Sequence, residues 1–277
     1  METITSLELL ARVTSQATES ERVTLPDIKV INIGVISIGV VGAKELAETL
    51  VRCSFPNLNL IDLLGNRIGS EGAKELASAL EHGSFQALEH LHIGCNTIED
   101  EGAEALATAL THGSFPRLKC IDFHGNRFGD AGITTIASAL KRSALQSLEL
   151  INLGGNDFED EGAKAIAVAL KDGSFPRLKF IHVADNGIGT EGAEAFATAL
   201  ERSTLPLLEG INLNGNPCMD DEILRRVRNA VTGAHCRGRV MLLLCAESDR
   251  CVSPTKRFLA RDGDRAVMGR SWRFMLS

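Results

Sequence analysis

Asparagine returns every 30 residues along most of this chain, at Asn66, Asn96, Asn126, Asn156, Asn186 and Asn216. Leucine keeps the same step at Leu58, Leu88, Leu118, Leu148, Leu178 and Leu208. A fixed period of this length means that one structural unit is built repeatedly and stacked on itself, and this constrains the fold before any single element is read. Within a unit, apolar and polar residues first alternate, as in Leu58, Ile61, Leu63, Asn66 and Ile68, which predicts a short strand. Then comes G-x-E-G-A-x-x-L-A-x-A-L, as in Gly69–Leu80. Its Ala73, Leu76, Ala77 and Leu80 fall on one helical face. Ser70, Asp100, Asp130, Asp160 and Thr190 stand where a helix N-cap is wanted. Gly83, Gly113 and Gly173 stand where a left-handed residue often ends a helix. Each unit is therefore expected to run strand, turn, helix, turn.

A single 30-residue unit has too few apolar side chains to offset the entropy of ordering its backbone. Stacking gives every apolar face a neighbour above and below, so the units stabilise one another. The recurring asparagines occupy a core-phase position and are expected to turn inward and bond the backbone of the bend. A second row, Lys29, Asn59, Glu89, Lys119, Glu149, Lys179 and Glu209, alternates in charge wherever it is charged. Parallel strands lie ~4.8 Å apart, so the alternation would set opposite charges side by side; it reads as a register device, the alternative being a solvated charge row of no consequence.

Over residues 28–236, L-x-x-L-x-L-x-x-N with a helical return resembles the leucine-rich repeats of the ribonuclease-inhibitor type. That group also includes Ran GTPase-activating proteins and the sensing ends of NOD-like receptors. The resemblance implies an α/β fold, a curved leucine-rich-repeat solenoid with a parallel β-sheet on the concave face and α-helices on the convex face. It implies an architecture rather than a chemistry. Residues 1–27 read as an N-terminal helical cap, with a helix around Ser6–Ala17 packed on a degenerate first unit in which Ile36 replaces the asparagine. After Asn216 an altered unit begins, with a helix over Asp220–Val231. Residues 237–277 read as a C-terminal cap or basic amphipathic tail, containing a short buried segment at Val240–Cys245 and a helix start at Ser253-Pro254.

Charge divides the chain in the same place. Residues 1–216 hold 29 acidic and 17 basic side chains, whereas residues 217–277 hold 7 acidic and 12 basic. An acidic body lacks the basic footprint that phosphate recognition needs, so nucleic acid is not expected as the main ligand. The N-terminus has no positively charged leader pattern, and the apolar run at residues 28–41 is too short and glycine-rich to span a bilayer. The seven cysteines are odd in number and contain no CxxC, which points to reduced thiols and a cytoplasmic protein. With aromatics at 4% and no tyrosine, the core is expected to be built from Leu, Ile, Val and Ala.

Strand residues pointing away from the core line the concave face. Their middle row is Asn32, Asp62, His92, Asp122, Asn152, His182 and Asn212, flanked by Leu64, His90, Cys120, His124, Phe180, Asp185 and Asn214. This polar, varied surface suits a protein–protein interaction module or scaffold that binds a protein partner. No nucleophile with its base in a pocket is evident, so no enzyme activity is expected. His92 between Asp62 and Asp122, with His90 and His124 nearby, has the ligand types of a transition-metal site. Flat adjacent strands seldom converge four ligands, however, and neither a metal nor another cofactor is expected. His235, Cys236, Cys245 and Cys251 match no metal-binding spacing, and the G-x-E-G-A glycines serve the turn into the helix rather than a phosphate. The resemblance to Ran GTPase-activating proteins adds an alternative: regulation of a small GTPase, for which Arg67 and Arg127 in the turns are available.

Overall fold

Three-residue strands and helices of 13 or 14 residues alternate along the repeats. A computed structural model describes residues 3–8, 23–143, 145–172, 175–203, 205–217 and 220–233. Ten strands are described: β1 (Thr3–Ile4), β2 (Val23–Thr24), β3 (Val30–Asn32), β4 (Cys53–Ser54), β5 (Leu60–Asp62), β6 (His90–His92), β7 (Cys120–Asp122), β8 (Leu150–Asn152), β9 (Phe180–His182) and β10 (Gly210–Asn212). Between them lie α1 (Gly39–Arg52), α2 (Gly69–His82), α3 (Glu99–His112), α4 (Asp130–Arg142), α5 (Asp160–Asp172) and α6 (Thr190–Arg202), and α7 (Asp221–Gly233) follows β10. The main sheet is parallel, in the order β1-β3-β5-β6-β7-β8-β9-β10, and β2 pairs with β4 in a second, two-stranded sheet. Register follows the period: Leu60, His90, Cys120, Leu150, Phe180 and Gly210 are successive partners.

At the N-terminal edge, β1 pairs Thr3 with Val30 and Ile4 with Ile31, and Ile4 is fully buried. A strand therefore extends the sheet where the sequence suggested only a helix; that helix, around Ser6–Ala17, falls mostly outside the described residues. The last helix matches its expectation within two residues. The segment 237–277, with Val240–Cys245 and Ser253-Pro254, lies outside the described residues.

Each repeat buries its first leucine and the apolar residues three and five positions on, as in Leu88, Leu91 and Ile93. The core is less purely aliphatic than composition suggested. Phe55, Phe85, Phe123, Phe128, Phe158 and Phe196 are among the largest fully buried side chains. Few aromatics does not mean few in the core when, among the described residues, every phenylalanine but Phe180 is buried. The asparagines form a continuous ladder. Asn96 Nδ2 donates to the carbonyls of Leu63 and Ile93 at 2.8 and 3.0 Å, and its Oδ1 accepts the Asn66 amide at 2.8 Å. The pattern repeats through Asn126, Asn156, Asn186 and Asn216. It begins at Ile36, whose amide donates to Asn66 Oδ1. Each amide side chain thus satisfies backbone groups of two units and links them.

Two expectations about helix ends are corrected. Gly83 and Gly113 are extended, with φ of −78° and −69°, rather than left-handed. Glycine stands there for space, because a Cβ would meet the rings of Phe85 and Phe115 at 2.2 and 2.5 Å. Where Ser143 and Ser203 replace it, Leu145 and Leu205 replace the phenylalanine. Gly173 lies outside the described residues. The supposed N-caps make no side-chain cap within their own units where caps are described; four of them act on the next unit instead, three aspartates as acceptors and Ser70 as a donor. Asp130 Oδ1 accepts the amides of Glu159 and Gly162 at 2.8 and 2.7 Å, and Asp160 Oδ1 those of Gly189 and Gly192 at 2.7 and 2.8 Å. Asp100 Oδ1 likewise accepts the Gly129 amide at 2.7 Å, while Ser70 donates to the Ile98 carbonyl.

Candidate functional site

Side chains alternate across a strand, so each β-strand that sends its central residue into the core sends the flanking ones to the opposite, outer face. Parallel pairing then aligns Asn32, Asp62, His92, Asp122, Asn152, His182 and Asn212 in one row. The sequence suggested that this whole row is open to solvent, and here the structure differs. Asp62, His92, Asp122 and His182 are only 2, 3, 2 and 7% exposed, and Leu64 and Cys120 are buried as well. Strands ~4.8 Å apart hem a side chain of this row between its row neighbours on both sides. Asn152, Phe180, Asn212, Asn214, His90 and His124 are half-buried, and Asp185 is exposed.

The histidines separate into two groups. In the first, His124 Nδ1 donates to Asp122 Oδ1 at 2.7 Å, and its Nε2 lies 3.2 Å from the sulfur of the exposed Cys95. Gly94 leaves room for this ring, since a Cβ there would lie 2.5 Å from it. Burial works against a charged His124, but the charge and hydrogen bond of Asp122, helped by Cys95, raise its pKa to about 10. Asp122 is held below the usual carboxylate range: its burial is outweighed by the charge and hydrogen bonds of His124 and the charge of His92. Asp62 moves the other way, because burial outweighs the charge of His92 and the hydrogen bond from the Leu64 amide.

The second group is His90, His92 and Cys120, whose donor atoms all lie within 4.8 Å of one another. The two rings meet edge to face at 5.9 Å, and His92 Nε2 is 3.6 Å from Cys120 Sγ. Burial, aided by the charge of His92, lowers the His90 pKa to about 4, and burial pushes the Cys120 thiol up. His182 is also lowered to about 4, by burial above all, with Asp122 opposing and His124 adding to the shift. The grouping of His92 with Asp62, Asp122, His90 and His124 therefore splits: His124 goes to Asp122, and Cys120, read from sequence as a mere flank, joins the other two histidines. The signal was present in His-x-His with a cysteine 30 residues after the first histidine, which the period places directly opposite it.

At the start of the strands the charged row pairs Lys119 with Glu89 and Lys179 with Glu149, each at 2.7 Å, with Arg177 3.6 Å from Glu149. Arg67 and Arg127 are exposed in the strand-to-helix turns with φ of 56° and 61°, and Arg127 approaches Glu99 at 3.8 Å. Among the described residues no helix is long and apolar enough to cross a membrane.

The Leucine Rich repeat family matches residues 56–77, 86–107, 144–167 and 177–197. No curated protein sequence matches the chain. Similar solved structures include actin-binding site 2 of leiomodin-1, 17% identical with a TM-score of 0.47, over 59% of this chain and 88% of that one. An internalin from Listeria monocytogenes is 15% identical with a TM-score of 0.42, over 81% and 62%. A protein from Bacteroides fragilis is 15% identical with a TM-score of 0.42, over 79% and 75%. The 30-residue period, the strand-turn-helix unit it encodes and the four matched segments make this chain a leucine-rich-repeat protein.

Proposed function

We propose that the chain is a non-enzymatic interaction module, of the ribonuclease-inhibitor-like type, that binds a protein partner through the outer face of its sheet. One observation carries this reading. At equivalent backbone positions the core rows stay apolar throughout, even where they vary as in Leu63, Ile93, Phe123, Leu153, Val183 and Leu213, whereas the outer row runs Asp62, His92, Asp122, Asn152, His182, Asn212, and its flank runs Leu60, His90, Cys120, Leu150, Phe180, Gly210. Folding needs the core rows to be apolar and places no such demand on the outer ones, so variation there is free to serve recognition. The buried Asp62, His92, Asp122 and His182 shape the floor of the face. Contact falls to the residues that water reaches: Asn152, Phe180, Asp185, Asn212 and Asn214, with His90 and His124.

The test follows that division. Phe180→Ala, Asp185→Lys and Asn214→Lys combined should remove the proteins that the full chain retains from its native cell extract, with the far-UV spectrum unchanged. Retention of the same proteins by the folded variant would count against this face.

A second reading, activation of a Ran-type GTPase, has one feature in its favour: exposed Arg67 and Arg127 on equivalent turns. A GTP-hydrolysis assay with Ran-type GTPases decides it. Acceleration lost in Arg67→Ala or Arg127→Ala supports this reading, and no acceleration by the parent removes it.

A further inference from the structure

Among the described residues, His90 Nδ1 is the buried side-chain nitrogen that has no hydrogen-bond partner. Buried polar atoms in native folds are nearly always paired, so this one calls for an explanation. His90 and His92 are two residues apart on β6 and share the outer face, and Cys120 on β7 is the register partner of His90. One strand thus supplies two imidazoles and its neighbour a thiol, which is how three donors converge on a nearly flat sheet. The 3.6 Å between His92 Nε2 and Cys120 Sγ equals the edge of a tetrahedron with metal–sulfur and metal–nitrogen bonds of ~2.3 and ~2.05 Å, which is about 3.6 Å.

The geometry points to a three-ligand site for Zn²⁺ or a similar borderline-soft cation at His90, His92 and Cys120, with a fourth coordination position left to solvent or to a bound partner. Thiolate and imidazole favour such a cation over Mg²⁺ or Ca²⁺, which take oxygen ligands. Both imidazoles coordinate in their neutral form. The Cys120 thiol gives its proton to solvent as the metal–sulfur bond forms, so one proton leaves per ion bound and no redox step is involved. Asp62 and Asp122 are the register partners of His92 on either side and set negative charge beside the cation. This departs from the sequence expectation of no metal, and it stands independently of the partner-binding reading, because the ligands all belong to this chain.

The full chain, reduced and stripped with chelator, is titrated with Co²⁺ and then Zn²⁺. The site requires one equivalent of Co²⁺ with a thiolate charge-transfer band in the near ultraviolet, displaced by Zn²⁺. Cys120→Ser should abolish the band, and His90→Gln should weaken Zn²⁺ binding more than about tenfold. A variant with Cys218, Cys236, Cys245 and Cys251 all changed to Ser should bind like the parent. No thiolate band in the parent, a band that survives Cys120→Ser, or a band lost in the four-cysteine variant would overturn the assignment. Should Cys120→Ser not fold, His90→Gln, at a half-buried position, carries the decision: unchanged Zn²⁺ affinity there sinks the site. Because no partner is present in these titrations, their outcome does not depend on the capture experiment.

Discussion

His124 carries a stability contribution whose pH window can be stated. Its pKa rises from an ordinary 6.5 to about 10, so the folded chain keeps a proton that the unfolded chain releases between those values. That contribution is complete below pH 6.5 and is lost as the pH climbs towards 10. His182 behaves oppositely. Its folded pKa of about 4 gives a contribution that is complete above pH 6.5 and is lost as the pH falls towards 4. Urea midpoints of the chelator-stripped chain should therefore peak near pH 6.5. His124→Gln, which removes the ring bonded to Asp122 and Cys95, should flatten the alkaline limb, and His182→Gln should make the acid limb shallower, the rest of it belonging to His90, whose folded pKa is also about 4. An alkaline limb equally steep in His124→Gln would refute the assignment. These residues were legible in the sequence as members of the outer row. Their burial was not, because alternation reports which face a side chain takes and not how closely its row neighbours crowd it.

The strand-turn-helix unit was readable from a single repeat, since apolar periodicity is a local signal. What the sequence hid at the level of elements is the bonding between units. A cap sought within one unit is invisible when its acceptor sits a full repeat earlier, as with Asp160 and the first turn of α6. Removing that carboxylate by Asp160→Ala should cost about 1–2 kcal/mol; Asp160→Asn, which keeps an oxygen acceptor, should cost less. Equal urea midpoints for Asp160→Ala and the parent would show that the two bonds carry nothing. The same contact sets the backbone of the following turn. After Val40 and Ser70, the residues one unit on, Gly69 and Glu99, have φ of 65° and 60°, whereas after Asp100 and Asp160, Gly129 and Gly189 are extended at −83° and −90°. Glu99 is thus a non-glycine residue forced into the left-handed region where Gly39 and Gly69 stand in the preceding units. Glu99→Gly should raise stability by about 0.5–1 kcal/mol, the relief of left-handed strain exceeding the entropy that glycine adds to the unfolded chain. The weak, exposed contact with Arg127 is given up, together with one of the three acidic charges in the first turn of α3. A lower midpoint than the parent's would count against strain at this turn.

For the whole molecule, the consequence of an exact 30-residue register is that units can be removed without breaking the asparagine ladder or the sheet. Deleting residues 120–149 joins Lys119 to Leu150 and sets Asp100 one unit before Glu159 and Gly162, where Asp130 stood as their acceptor. This chain should fold with a lower midpoint, since each unit contributes its own stacking interface, whereas a deletion of about half a period should not fold at all. The charged row distinguishes one unit from two. In the parent, Lys119 is held by Glu89 and Lys179 by Glu149. Removing 120–149 takes Glu149 away and brings Lys119 beside Lys179 on adjacent strands ~4.8 Å apart. Removing 90–149 instead brings Glu89 beside Lys179 and keeps the alternation. Added salt screens both effects but with opposite sign. The one-unit deletion should gain stability between low and high salt, by about 0.2–1 kcal/mol, and the two-unit deletion should not. If both respond to salt alike, the charge row is a solvated fringe and register is held by the apolar rows and the asparagines alone.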